Sequence, residues 1–547
     1  MRLSRSRKNS LALAASCLAS LMFGLEISSV PVILPALEKV LHGDFQDLQW
    51  IMNAYTLACT TVLMATGALA DRYGRKRLFI GSIVAFGLAS LLCGLAANTA
   101  ALIAGRALQG VAGGAMLICL LAILSHQFRQ GPERTRAFAT WGMVSGIGLG
   151  FGPIVGGMIV ALSDWSWVFL IHLPLAALTL ALVLAGVDES RDPQAARLDV
   201  AGIATLSLAV FGLSYSITQG PALGGDVLRI VGAALALLGG QLDLAPALAP
   251  AIAALAAGGV VLATALSLVA FVVIEKRQPH PMMDFAVFRN RRFSGALCGS
   301  LGMNFSYWPF MIYLPIYFQS VLGYGSVRAG LALLAYTVPT LLLPPLAERL
   351  ARGERAGLVI PAGLFTIGSG FMLMYLGAGA GPLAWLGVLP GAALAGIGLG
   401  LTHTPVSNTA TAAVAANRAG MASGIDTSAR LIALAINIAL MGSILLAGIS
   451  AYLQARLPGA PDAGRVRALA ERIAAGDVAA AAQSLAPADA AALAAQAAEI
   501  AHGALLQGFE WVMLYGGAGA WLLAGLSWLT FAPRAGTAAA GVAAPPA

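Results

Sequence analysis

Gly67-Ala68-Leu69-Ala70-Asp71-Arg72-Tyr73-Gly74-Arg75-Lys76-Arg77-Leu78-Phe79-Ile80 decides how the rest of the chain is read. Long apolar runs flank it, at roughly 48–70 and 78–98. Each is long enough to cross a bilayer as a helix, which takes about 20 residues. A charged turn between two such helices is a short loop at the water interface. It holds four cations, Arg72, Arg75, Lys76 and Arg77, against one acid, Asp71. Lys and Arg favour the cytoplasmic ends of spans, so this loop is expected in the cytoplasm and sets the orientation of every other span.

Composition agrees with a chain built for lipid. Of 547 residues, 59% are hydrophobic and 10% charged, with a mean hydropathy of +0.83. A soluble domain carries about 25% charged residues, so the fold class is an all-α membrane protein. The net charge of +8 does not point to nucleic acid, because Lys and Arg gather in the loops on the side of the 71–77 turn; that asymmetry is a topology signal. The 64 glycines suit close helix packing in lipid. Cys17, Cys59, Cys93, Cys119 and Cys298 all lie in apolar runs without pairing or metal-ligand spacing, and read as packing residues.

Apolar runs of spanning length fall at about 11–35, 48–70, 78–98, 100–124, 138–161 and 166–187. Two more fit at 199–219 and 253–275, and six more at 293–320, 326–347, 356–377, 383–406, 425–452 and 505–531. The expected layout is a cytoplasmic tail (1–10), a six-helix bundle (11–187) and a linker with two extra helices (188–292). A second six-helix bundle (293–531) and a cytoplasmic tail (532–547) follow. Met1–Phe23 has the basic-then-apolar form of a signal peptide, but the run continues past Glu26 to Pro35 without a cleavage site, so it is read as a retained span. Leu69-Ala-Asp-Arg72 with Arg75 recurs as Leu346-Ala-Glu-Arg349 with Arg352, as duplicated transporter halves would have it. Residues 220–252 could hold an extra re-entrant or interfacial segment. The Ala-rich stretch 453–504 reads as one or two exposed amphipathic helices outside the membrane, with Pro487 as a breaker.

Several polar residues stand where lipid should forbid them. Glu26 lies about two-thirds along the first span, and an ionisable group there marks an ion or substrate pathway. A carboxyl held away from water can take up and release a proton, or meet a cationic substrate. Pro31, one turn on, loosens that helix. Arg106 and Gln109 share a face of the fourth span, with Gly110 and Gly113 allowing a neighbour close; the guanidinium needs a carboxylate or freed carbonyls as acceptors. Gly148, Gly152 and Gly156 form a flat ridge with Pro153 and Gly157 beside it.

Asn304 sits among Tyr307, Trp308 and Tyr313, an aromatic stripe that lines a drug pocket or merely packs the bundle. Asp426 and Arg430 are spaced to pair on one helix face, with Asn437 further along. His172 and His403 stand alone and read as structural. No metal-ligand cluster, nucleophile elbow or phosphate-binding GxxxxGK[ST] is present. An ion gradient is left as the energy source, with no cofactor.

Together these motifs resemble the fourteen-span drug:proton antiporter branch (EmrB/QacA-like) of the major facilitator superfamily. Gly67–Arg77 is similar to that superfamily's G-x-L-A-D-R-x-G-R-K-x loop, and Leu102–Gly110 to the fourth-span L-x-x-x-R-x-x-Q-G. Gly148–Gly157 resembles the antiporter motif G-x-x-x-G-P-x-x-G-G, and Gln49-Trp50 with Ala54-Tyr55 resembles Q-W-x-x-x-A-Y. Two departures stand out. Glu26 and Pro31 replace Asp and Asn of the first-span motif, and Arg430-Leu-Ile-Ala433-Leu434 replaces R-x-x-G-G.

The resemblance implies fourteen transmembrane helices arranged as six, two and six. It implies a cytoplasmic gate at Gly67, Asp71, Arg72, Gly74 and Arg75, and proton coupling at Glu26 with Arg106. The substrate cavity would draw on Glu26, Gln109, Asn304, Tyr307, Trp308, Tyr313 and Asn437. The implied activity is export of amphipathic, often cationic compounds from the bacterial cytoplasm across the inner membrane, with both termini cytoplasmic. A periplasmic adaptor and an outer-membrane channel would be the protein partners. Export of a single metabolite such as a siderophore or amino acid is the nearest alternative; a transporter-like sensor or membrane enzyme is the more distant one.

Overall fold

The computed structural model describes residues 4–532 apart from 42, 44, 129–130, 192–198, 220–248, 279–284, 352–354, 380–383, 415–418, 458–462 and 486–490. Every regular element among them is helical. Lipid offers no partner for backbone N–H and C=O groups, and a helix satisfies them within one segment.

The first bundle is α1 (Arg5–Leu41), α2 (Phe45–Tyr73), α3 (Arg75–Gly94), α4 (Thr99–Gln127), α5 (Gly131–Leu162), the short α6 (Trp167–Leu170) and α7 (His172–Gly186). Two further helices follow, α8 (Val200–Gln219) and α9 (Ala249–Arg277). The second bundle holds α10 (Arg291–Phe305), α11 (Tyr307–Ile316), α12 (Ser326–Ala332), α13 (Leu334–Leu342), α14 (Pro344–Leu350), α15 (Ala356–Gly377), α16 (Ala384–Ala412) and α17 (Ala419–Arg456). It closes with α18 (Ala463–Ala475), α19 (Val478–Leu485) and α20 (Ala491–Phe531).

Among the described residues, eleven helices are long and apolar enough to cross a membrane, and twelve if the bent pair Ser326–Leu342 and Pro344–Leu350 counts as one span. That pair bends by 42° where Pro344 and Pro345 interrupt the hydrogen-bond ladder. α2 and the pair α10–α11, broken at Ser306, stand at the positions expected of the second and ninth spans. α8 packs on α2 and α17, where Trp50 meets Phe211 and Tyr215 with ring centroids 6.0 and 5.8 Å apart. Ser443 Oγ donates to the Ile217 carbonyl at 3.2 Å in the same seam.

Three details differ from the sequence reading. α1 starts at Arg5, so most of the supposed tail is helix. α20 starts at Ala491, well before the expected span, because alanine has high helix propensity even where hydropathy is low. The insert is not freely exposed: α18 buries Val466, Leu469, Ala470 and Ile473 against α17, α2 and α20. Most of the 220–252 stretch, Pro487 and Arg352 lie outside the described residues, as does most of 532–547.

The glycines of α5 bring two packing surfaces together. A Cβ on Gly148 would stand 3.0 Å from the Leu21 carbonyl oxygen, on Gly152 1.8 Å from Ser28 Oγ, and on Gly156 2.8 Å from the Ser29 carbonyl oxygen. The ridge therefore faces α1, where Ser28 Oγ donates to the Gly24 and Gly148 carbonyls at 2.7 and 3.1 Å. The other flank of α5 meets the second bundle. A Cβ on Gly157 would lie 2.6 Å from the Ser326 carbonyl oxygen, and one on Gly330 2.8 Å from that of Pro153.

The 67–80 loop is held by a residue far along the chain. Gly74 has φ +115°, and a Cβ there would sit 2.7 Å from Glu189 Oε1. Glu189 accepts from Lys76 N at 3.0 Å and Arg77 N at 3.2 Å, so its carboxylate caps the unpaired N–H groups opening α3. Arg75 N donates to the Ser190 carbonyl at 2.9 Å, and Lys8 Nζ meets Asp188 Oδ1 at 2.6 Å. The side chain of Asp71 is not among those described. Gly74→Ala is expected to combine a strained φ with displacement of Glu189, at a cost of about 1–3 kcal/mol. A lowered thermal midpoint of the purified protein would show it, and an unchanged midpoint would mean that Glu189 does not hold this turn.

Candidate functional site

Near the middle of the first bundle, α1, α2, α4 and α7 enclose a set of polar side chains. Glu26, Arg106, Gln109 and His172 are each 0% exposed. Arg106 Nη1 donates to Glu26 Oε1, and also to Gln109 Oε1 at 2.8 Å. Its Nε donates to the Ile51 carbonyl at 2.9 Å. Gln109 Nε2 in turn donates to Ser90 Oγ at 2.9 Å, and Ser90 Oγ to the Phe86 carbonyl at 2.8 Å. The carbonyl acceptor thus comes from the second helix rather than the first.

Local sequence explains the placement. Asn98 caps α4 by accepting from Ala101 N at 2.8 Å, which fixes the start of the helix two turns before Arg106. Gly110 lets α4 close on α2: a Cβ there would stand 2.2 Å from the Tyr55 carbonyl oxygen. That approach brings the Tyr55 ring beneath the guanidinium, with the Arg106 Cζ 4.4 Å from its centroid. Phe169 lies on another side, 6.0 Å away.

His172 belongs to this cluster, which corrects the reading of it as an isolated structural residue. Its Nδ1 lies 3.4 Å from Glu26 Oε2 and 3.3 Å from the Phe169 carbonyl oxygen. Its Nε2 lies 3.2 Å from the Met22 carbonyl oxygen. Nothing in the sequence pairs residues on the first and sixth spans. The available signal was only that a histidine interrupts an otherwise apolar run.

Arg106 and Tyr55 form part of the wall of a narrow cavity of about 20 Å³, room for a single water molecule, where the two bundles meet. Ile27, Pro31, Met52 and Thr56 complete the wall from the first bundle. Trp308, Met311, Ile312 and Leu434 close it from the second. Pro31 carries no backbone N–H, so the Ile27 carbonyl beside the cavity lacks its helical donor. Arg106 Nη2 and Tyr55 Oη have no hydrogen-bond partner among the described residues. Glu26 itself does not line the cavity; Arg106 stands between.

Of the aromatic and amide residues the resemblance assigns to the cavity, Trp308 lines it. Tyr307 stacks on Tyr336 with centroids 3.9 Å apart, and each hydroxyl donates to the other's carbonyl. Tyr313 Oη accepts from Gln49 Nε2 at 3.1 Å and donates to the Ile438 carbonyl, joining the bundles. Asn304 Nδ2 donates to the Ser300 carbonyl at 2.8 Å, and Asn437 accepts from Tyr515 Oη at 2.6 Å. These four are placed as packing struts.

In the second bundle Arg430 Nη2 pairs with Asp426 Oδ2 at 2.9 Å, as the four-residue spacing suggested. It also donates to Ser407 Oγ at 2.8 Å, and Nε donates to Ser300 Oγ at 3.1 Å. His403 lies edge-on to Trp308, 6.4 Å between centroids. Among the described residues no His, Cys, Asp and Glu group could hold a metal ion.

Membrane-crossing helices in two packed bundles, with a buried Glu26–Arg106 pair beside a cavity between them, are the architecture of a membrane transporter. The Major Facilitator Superfamily matches residues 16–438. The chain belongs to this superfamily.

Among its relatives, the multidrug resistance protein Stp of Mycobacterium tuberculosis is 31% identical, over 86% of this chain and 82% of that protein. The puromycin resistance protein pur8 of Streptomyces alboniger is 30% identical, over 80% and 81%. The tetracenomycin C resistance and export protein of Streptomyces glaucescens is 29% identical, over 84% and 81%. In fold the chain is similar to a bacterial homolog of the human lysosomal transporter Spinster, with a TM-score of 0.58 at 13% identity, covering 96% of this chain and 99% of that one.

Proposed function

We propose that this protein is a proton-coupled efflux antiporter that exports amphipathic, often cationic compounds by alternating access. The observation that carries this reading is the Glu26–Arg106 pair, wholly buried directly behind the wall of the cavity shared by both bundles. Buried ionisable groups in spans mark ion and substrate pathways, and a carboxyl is the group that exchanges a proton there. The relatives named for multidrug, puromycin and tetracenomycin C resistance support drugs rather than a single nutrient as cargo.

The basic 71–77 turn faces the cytoplasm of a bacterium, with both termini on the same side of the inner membrane. Gly67, Asp71, Arg72, Gly74 and Arg75 then form the cytoplasmic gate. Gln49 to Tyr313, Gln319 Nε2 to the Val32 carbonyl at 3.1 Å, and Thr337 Oγ1 to the Gly150 carbonyl at 3.2 Å all join the bundles in the half away from that turn. The periplasmic side is therefore the closed one in this conformation. Gly148, Gly152, Pro153, Gly156 and Gly157 hold α5 where the two bundles meet. The α18–α19 insert stands on the periplasmic side, where an adaptor leading to an outer-membrane channel would dock. Inward proton movement contributes about 2.3 kcal/mol per charge per 100 mV.

Expression in a drug-hypersensitive bacterium tests the reading. Raised tolerance to several unrelated lipophilic cations, lost when a protonophore collapses the gradient, is expected. Unchanged tolerance across dyes, biguanides and quaternary amines would instead favour a dedicated metabolite exporter.

A further inference from the structure

We propose that the exchanged proton is carried by Glu26 and His172 as a pair, with Arg106 holding the other carboxylate oxygen in place. The proposal rests on Glu26 being the coupling carboxyl and assigns the proton a second owner. The polar atoms against the two imidazole nitrogens are all acceptors. Nδ1 faces Glu26 Oε2 at 3.4 Å and the Phe169 carbonyl at 3.3 Å, and Nε2 faces the Met22 carbonyl at 3.2 Å. A neutral imidazole has one N–H, so one nitrogen would turn its lone pair on an oxygen. An imidazolium donates from both nitrogens and satisfies the site.

The surrounding groups leave Glu26 as the one acid in reach. From α2 the neighbour is Tyr55, whose ring lies under the Arg106 guanidinium, and from α3 it is the Phe86 ring, 5.5 Å between centroids with the imidazole, and the Cys93 thiol near Gln109. From α4 it is Arg106, which is committed to Glu26 Oε1. From α7 Thr179 Oγ1 donates to the Leu175 carbonyl at 2.7 Å, not to the imidazole. Glu26 Oε2 accepts no hydrogen bond of good geometry, and the His172 Nδ1 at 3.4 Å is the polar atom placed to serve it.

The charge count gives the pair its purpose. With the proton on His172, the site holds Glu26 as an anion and two cations, a net charge of +1. When the proton leaves for water, Glu26 and Arg106 balance and the imidazole is neutral. One proton is bound or released, and no other bond changes. Arg106 lines the cavity while Glu26 does not, so proton and cationic cargo exclude each other through this change of charge rather than by contesting one oxygen.

The test is nitrogen NMR of the full-length protein carrying ¹⁵N-histidine, which has six histidines in all. The His172 signal is identified by its loss in His172→Asn, or in His172→Gln should the first variant not accumulate. In mildly acidic buffer both ring nitrogens are expected to be protonated, and in alkaline buffer one. In Glu26→Gln one is expected in both buffers. A neutral His172 at both pH values in the unaltered protein, or an imidazolium that persists in Glu26→Gln, would overturn the proposal.

A second arm follows uptake of tetraphenylphosphonium into everted vesicles under an imposed pH gradient. His172→Asn should lower the rate by about tenfold and move its dependence on pH, with binding of the cation retained. Identical rates and pH profiles would again reject the pair. Failure of the unaltered protein to move the cation would count against the transport reading alone, because the NMR arm needs no cargo.

Discussion

Glu26→Gln is expected to reduce pH-gradient-driven efflux to the level of vesicles lacking the protein, while the protein still reaches the membrane. The amide has nearly the same shape, and its oxygen can still accept from Arg106 Nη1, so the packing of α1 on α4 survives. What is lost is the carboxylate that, paired with His172, holds and releases the coupling proton at this depth. Glu26→Asp keeps the acid but pulls it back by one methylene from a guanidinium already fixed by Ile51 and Gln109. That variant should retain partial, pH-dependent transport. Full activity of Glu26→Gln in a pH-jump assay would remove this carboxyl from the coupling role.

Arg106→Met should damage both stability and transport. It leaves a fully buried carboxylate with His172 as its remaining ionisable neighbour. Removing one member of a buried ion pair typically costs about 3–5 kcal/mol, whereas replacing both members is close to neutral. The double variant Glu26→Gln/Arg106→Met should therefore recover most of the thermal stability lost by the single one, and neither should transport. Cys17, Cys59, Cys93 and Cys119 are buried, so a thiol-reactive fluorophore reports unfolding directly. Equal midpoints for the single and double variants would show that the pair is not coupled energetically.

The parts of this protein written locally in the chain were legible before the structure. A charged turn between two apolar runs identified a multi-span membrane protein. Arg106 and Gln109 at helical spacing, with glycines on the following turns, announced a buried guanidinium approached closely by a neighbour. What the sequence hid depends on which helices meet. His172 reaches Glu26 across the bundle, and Glu189 caps α3 from beyond the sixth span. No periodicity encodes either contact.

The aromatic stripe of α11 misled for another reason. A helix surrounded by helices is apolar on every side, so its pattern does not say which face looks into the cavity. Tyrosine hydroxyls away from water need partners, and this recruits Tyr307 and Tyr313 into struts while Trp308 remains at the cavity wall.

At the junction of α5 and α12, main chain lies almost directly on main chain, with Gly157 over Ser326 and Gly330 over Pro153. Interlocked side chains would have to climb over one another before the bundles could tilt; two smooth ribbons of peptide need not. On the proposed alternating-access reading the junction would serve as a hinge plate, tight enough to seal the outer route and bare enough to let it part. Bulk added there should act as grit, slowing turnover while leaving the grip on cargo intact.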